Sequence, residues 1–146
     1  SLVNPQQKIT PFVVQLTGIT DKMVQHAPTF AEIAETLQQQ LNGALFIAHN
    51  ARFDYNFIRR EFEMLGMAFN APQLCTVKLS RHLFPEHKKH GLSCLIERFN
   101  LSDKDRHRAL ADARLLWILW QLWRDKLTEK IYLRALNLPK KEIVKT

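Results

Sequence analysis

The residues from Ala44 to Ala48 are apolar without a break, and the run stops abruptly at His49-Asn50. A strand that is apolar at every position has no face to give to water. It is expected to be buried on both faces, as in parallel sheets. Parallel strands need long crossovers, usually helical, and helical patterns lie on both sides of the run. Phe30, Ile33, Ala34, Leu37 and Leu41 recur at helical spacing after Pro28, with Gly43 as a stop. Phe57, Ile58, Phe62 and Leu65 are expected on one face of the next helix, closed by Gly66. The class this predicts is α/β, helices layered on a sheet.

The rest of the chain fits that class. Gln73-Leu74-Cys75 predicts a second short strand, and Val77 to Phe84 a helix stopped by Pro85. Leu92, Leu95, Ile96 and Phe99 predict a short helix. A long helix is expected from near Arg108 past Trp123. Between Leu115 and Trp120 it is apolar nearly all round, which predicts extensive burial. Residues 1–26, with Pro5, Pro11 and the turn-like Thr17-Gly18-Ile19-Thr20, read as extended chain and loop. Thr128 to Asn137 reads as an exposed last helix, and the tail from Pro139 as a basic linker. The expected organisation is a main domain over 1–127, then a C-terminal helix and linker over 128–146.

Composition narrows the function. No apolar run approaches the roughly 20 residues that span a bilayer, and no signal peptide opens the chain, so a cytoplasmic protein without membrane contact is expected. Cys75 and Cys94 are too few for a disulfide framework and are expected to be reduced, mostly buried thiols. The net charge of +7 favours a polyanionic partner. The chain does not begin with Met and is expected to be processed or cut from something longer.

Two segments concentrate residues that do chemistry. His49-Asn50-Ala51-Arg52-Phe53-Asp54 lies at the carboxyl end of the apolar strand, where ligands bind in open α/β sheets. Asp54 falls in the first helical turn, where the macrodipole favours a carboxylate; read alone, it serves equally as a helix-capping acid. His107-Arg108-Ala109-Leu110-Ala111-Asp112 poses a geometric question. Five positions within one helix put His107 and Asp112 about 140° apart. They can share a site only if His107 remains in the loop and Asp112 opens the helix. Asp112 also interrupts the apolar face of Ala109, Ala113 and Leu116, so it needs a partner, whether a metal or a plain ion pair with Arg108 or Arg114.

Taken together, H-N-A-x-F-D followed by H-x-A-x-x-D, with Leu16-Thr17-Gly18-Ile19-Thr20 upstream, resembles the DEDDh 3′–5′ exonuclease family over residues 1 to 124. That family includes the proofreading subunit of bacterial replicative polymerase. The resemblance implies a ribonuclease-H-like fold, a mixed sheet flanked by helices. It implies phosphodiester hydrolysis at a nucleic-acid 3′ end, DNA favoured over RNA, in proofreading or repair. It implies two Mg²⁺ or Mn²⁺ ions, with Asp54 and Asp112 as metal carboxylates and His107 as the general base. Asn50, Phe53 and Thr17 fall where members touch the terminal nucleotide. A DNA polymerase, or a further domain of the same polypeptide, is the implied protein partner.

One part of the family pattern has no match. Its first motif, Asp-x-Glu on the first strand, does not occur in these 146 residues, and Asp21 is the sole acid among residues 1–26. Ser1 to Pro5 resembles the end of the family's third strand, so the N-terminal strands are expected to be missing and the 146 residues alone to be inactive. In the family the strand at Ala44 to Ala48 pairs with that first strand. The alternative is a catalytically dead nucleic-acid-binding or assembly module of the same fold. Two weaker signals remain. His87-x-x-His90 has a metal-compatible spacing within the basic loop Glu86 to His90, which reads better as a solvated loop able to meet phosphates. Trp117, Trp120 and Trp123 lie at helical spacing and read as core rather than as base-stacking platforms.

Overall fold

Three short strands form one sheet in the order β1 (Phe46–Ala48), β2 (Gln73–Cys75) and β3 (Leu136–Asn137). The computed structural model that shows this describes residues 1–102, 104 and 107–137; the basic tail from Pro139 lies outside the described residues. β1 and β2 run parallel, with Ile47 opposite Leu74, and β3 returns antiparallel with Leu136 opposite Leu74. This is the mixed sheet of a ribonuclease-H-like α/β fold.

The expected two-sided burial belongs to β2, not β1. All three residues of β2 are buried, whereas Phe46 and Ile47 of β1 are only half-buried. The reason is position in the sheet. β2 lies between two strands, while β1 has one neighbour among the described residues and keeps an open edge. The strand is also shorter than the apolar run, because Ala44 and Leu45 are outside the ladder.

Residues 1–26 are not simply extended. Helix α1 covers Pro11–Thr17 and α2 covers Asp21–Val24. Thr10 caps α1 through Oγ1, which accepts from the Val13 amide. Pro11 stands at the first turn, and Gly18 closes the helix at φ 69°. Proline inside the start and glycine just past the end is the asymmetry that favours a short helix. Asn4 makes an isolated parallel bridge to Thr29. Helix α3 (Phe30–Leu41) opens with a reciprocal capping box. Glu32 Oε2 accepts from the Thr29 amide at 2.7 Å, and Thr29 Oγ1 accepts from the Glu32 amide.

Helix α4 (Ala51–Met64) buries Ala51, Tyr55 and Phe62. Phe57 and Leu65, expected on the inner face, are exposed. Aromatic rings tie the inner face to α3: Phe62 meets Phe30 and Phe69, each at 5.1 Å. The main core lies beyond β2, on the helices α5 (Thr76–Leu83), α6 (Leu92–Arg98), α7 (Ala109–Trp123) and α8 (Glu129–Ala135). Leu74, Leu79, Leu95, Leu119, Trp123 and Ala135 are fully buried there. Phe84 and Phe99 pack on the Trp123 indole, each at 5.7 Å.

Two expectations about the last helices need correction. α7 is apolar all round but is not buried all round. Leu115, Leu119 and Trp123 form its inner stripe, while Leu110, Trp117, Ile118 and Leu122 are exposed. α8 is largely exposed, as expected, but not on every side. It packs against α5, buries Ala135 and leads into β3. The core therefore runs past Leu127. No helix among the described residues is long and apolar enough to cross a membrane. Cys75 is buried and Cys94 half-buried, both as free thiols.

Candidate active site

β1 ends at Ala48, and the chain must turn sharply to start α4. Asn50 makes the turn at φ 68° and ψ 50°, a left-handed conformation that asparagine tolerates better than most residues. Its backbone carbonyl accepts from the Phe53 amide, and its side chain makes no capping bond. That exposed amide remains open to a ligand. Phe53 and Phe57 form an outward-facing pair, each ring 61% exposed, with centroids 4.9 Å apart. Asp54 sits in the first turn of α4. The residue is exposed, yet desolvation by surrounding protein raises its carboxyl above the ordinary value, against a lowering pull from its own backbone amide. A nearby cation would reverse that shift.

Sequence reasoning places His49 in the segment that opens α4 but misses its partner, Thr76. Thr76 is fully buried, and its hydroxyl donates to the Ala48 carbonyl at 3.3 Å. With that proton committed, Oγ1 accepts from Nδ1 of His49 at 2.9 Å. The two residues follow Ala48 and Cys75, which are register partners. The bond thus ties together the carboxyl ends of both parallel strands, where the turns into α4 and α5 begin. The signal that could have found it is the matching position of each residue just after its strand.

α7 resolves the His107–Asp112 question. His107 is an exposed turn residue at φ 66°, outside the helix, and Arg108 is the N-cap. Asp112, half-buried, lies in the first turn, its amide donating to the Arg108 carbonyl at 3.0 Å. α4 and α7 both pack against β1. Thr17 is engaged within its own turn: its hydroxyl donates to the Val13 carbonyl at 2.7 Å and accepts from the Ile19 amide at 3.1 Å. The Thr17 carbonyl accepts from Arg108 Nη1 at 3.4 Å. This contact brings Thr17 to the start of α7, around an open cleft of about 580 Å³.

The structure therefore assembles two groups. Asn50, Phe53 and Asp54 share the first turn of α4; Thr17, His107 and Asp112 gather near the first turn of α7. Among the described residues no three His, Cys, Asp or Glu side chains come together as a metal-binding set. The weaker metal spacing fails on its own terms. His90 is buried, its Nε2 donating to the His87 carbonyl at 2.9 Å and its Nδ1 accepting from the Ser80 hydroxyl at 2.8 Å. Both ring nitrogens are used, so His90 has none left for a metal.

The comparison with known proteins agrees with the motifs. The family model described as Exonuclease, RNase_T, matches residues 1–119. The PolC-type DNA polymerase III of Caldanaerobacter subterraneus subsp. tengcongensis is 36% identical over 129 residues, covering 88% of this chain and 9% of that protein. The 3′-5′ exonuclease DinG of Bacillus subtilis is 37% identical over 133 residues, covering 89% and 14%. This chain thus spans a small fraction of the length of these relatives. In fold it resembles exonuclease X, solved in complex with 5′ overhanging duplex DNA, with a TM-score of 0.67 at 24% identity, covering 90% of this chain and 76% of that one. On the strength of the family match and these relatives, the chain belongs to the exonuclease family.

Proposed function

We propose that this chain carries the second and third metal-binding segments of a 3′–5′ exonuclease that removes nucleotides from DNA ends in proofreading or repair. One observation carries the reading. Asp54 and Asp112 each occupy the first turn of a helix packed on β1, and His107 stands on a left-handed turn directly outside the second helix. The polymerase and exonuclease relatives support DNA as the substrate, and a polymerase or a further domain of the same polypeptide as the partner.

The carboxylates of Asp54 and Asp112 have the hard oxygen donors that Mg²⁺ or Mn²⁺ prefers. Among the described residues no His, Cys, Asp or Glu joins them in a set of three, so these two do not make the site alone. Two divalent ions, when bound, supply Lewis-acid stabilisation to the phosphodiester oxygens. The chain's own residues do the remaining work. The His107 imidazole takes the proton of the attacking water. The Phe53 ring stacks on the terminal base, and Asn50 and Thr17 contact the same nucleotide. In the family Asp-x-Glu lies on a strand that pairs with the equivalent of β1, and here an apolar groove lined by Leu45, Ile47, Ala113, Leu116, Trp117 and Trp120 lies against β1.

The test compares chain 1–146 alone with the same chain fused to an Asp-x-Glu strand, on 3′-labelled DNA and RNA oligonucleotides with Mg²⁺. The expected result is no shortening by the chain alone. The fusion shortens DNA in preference to RNA, unfolds at a higher temperature, and loses activity on Asp112→Asn. Robust Mg²⁺-dependent shortening by the unfused chain, abolished by Asp112→Asn, would show that two carboxylates suffice. An inactive fusion that still binds the oligonucleotide would favour the second reading, a catalytically dead binding or assembly module. The absence of Asp-x-Glu from these 146 residues is the observation behind that reading.

A further inference from the structure

We propose that the cleft between α1 and the start of α7 is a phosphodiester subsite, in which Arg108 and Arg114 hold phosphates of the substrate strand. The inference rests on the nucleic-acid reading above and adds two residues to it. The cleft is lined by Leu16, Thr17, Gly18, Arg108, Leu110, Ala111 and Arg114, with no acidic side chain in its wall among the described residues. It offers two permanent cations. Arg114 is exposed and makes no hydrogen bond or ion pair among the described residues. Arg108 spends only Nη1 on the Thr17 carbonyl. The rest of its planar N–H fork remains, a geometry suited to two phosphate oxygens at once.

The apolar lining is consistent with the same ligand. Leu110 is 65% exposed and Leu16 is also largely open, so sugars and bases have apolar surface to lie on while the phosphates meet the guanidinium groups. Gly18 keeps the floor low. A Cβ there would sit 3.9 Å from Arg108 Nη1, and its φ of 69° disfavours a side chain. Arg108 also has a positioning role. It fastens the Thr17–Gly18 turn to the helix that carries Asp112, so the subsite and the site of cleavage move as one body.

The probe is a 5′-fluorescein oligothymidylate, titrated with chain 1–146 in EDTA over a range of salt and read by fluorescence anisotropy. Removing one cation that pairs with a phosphate lowers the slope of log affinity against log salt by about 1. Arg114→Gln is expected to weaken binding several-fold and to lower the slope by about 1. Arg108→Gln with Arg114→Gln should lower it by about 2. Arg108→Lys should keep the slope, and Lys130→Gln, which removes the same charge from α8, should leave it near the parent value. Arg114→Gln touches no described bond, so its fold should hold, as a melting curve will show. Equal binding by parent and double variant would overturn the subsite while leaving the nucleic-acid reading intact. Weakened binding with an unchanged slope would also overturn it, since Arg108 would then act only through Thr17. A parent chain that binds no oligonucleotide at the lowest salt would remove both readings together.

Discussion

Trp117 and Trp123 stand on the same helix and meet opposite environments. Trp123 is fully buried between Phe84 and Phe99, whereas Trp117 is 63% exposed beside the open edge of β1. Around the first, leucines from β2, α5, α6 and α7 close a dry core. Around the second lie the half-buried strand β1 and an open apolar groove. The same residue type therefore contributes stability on the inner stripe of α7 and accessible surface on its outer face. Apolar composition identifies neither role; the neighbours do.

The largest effect should come from the closed side. Trp123→Ala is expected to cost about 3–5 kcal/mol in denaturant unfolding, since a large buried ring leaves a cavity. Trp117→Ala should stay within about 0.5 kcal/mol, as exposed substitutions do. Equal losses at both positions would mean that the groove is closed in solution, and the contrast between the two faces would collapse. On the open side, His107→Ala in a protein with the complete site should lower kcat about a hundredfold, with little change in oligonucleotide Kd. A variant with normal turnover and weak binding would make His107 a substrate contact.

A smaller effect tests whether α3 is anchored independently of α7. Thr29→Ala removes an N-cap and should cost about 1 kcal/mol, read from the same unfolding curves. The smallest effect is its pH dependence. The Thr29 backbone amide, with its hydroxyl, holds the Glu32 carboxyl below its ordinary 4.5. A lowered carboxylate pKa stabilises the fold above the unfolded value and loses that contribution as pH falls through the folded one. The Tm difference between parent and Glu32→Gln should therefore be constant above pH 4.5 and shrink below it. A difference that grew on acidification would break the capping-box assignment.

Much of this was legible because it is local. β2 was legible in the triplet Gln73-Leu74-Cys75 and the end of α5 in a proline stop, and the family follows from two six-residue motifs. The placement of His107 outside α7 and Asp112 inside it also agrees with the sequence reasoning, because the preceding residues are polar. What stayed hidden depends on neighbours distant in sequence. Phe57 satisfies the helical spacing, but α3 and Phe69 select Tyr55 and Phe62 for the interior. β1 reads as fully buried, yet burial requires a second flanking strand. Helix α1 is the exception. Thr10, Pro11 and Gly18 announced it locally, and the two prolines drew the reading toward loop instead.

The bond from Arg108 to Thr17 also has a meaning in time. It joins residues 91 positions apart, while the capping box and the helix turns join near neighbours. Closing so long a loop adds only logarithmically to the entropy cost, but such contacts form late, after local structure has shortened the search. The cleft is thus expected to be the last part of the molecule to assemble and the first to open. Amide hydrogen exchange should show it: the Gly18 and Asp112 amides should exchange through small local openings, faster than the amides of Leu79 and Leu119, which wait for global unfolding.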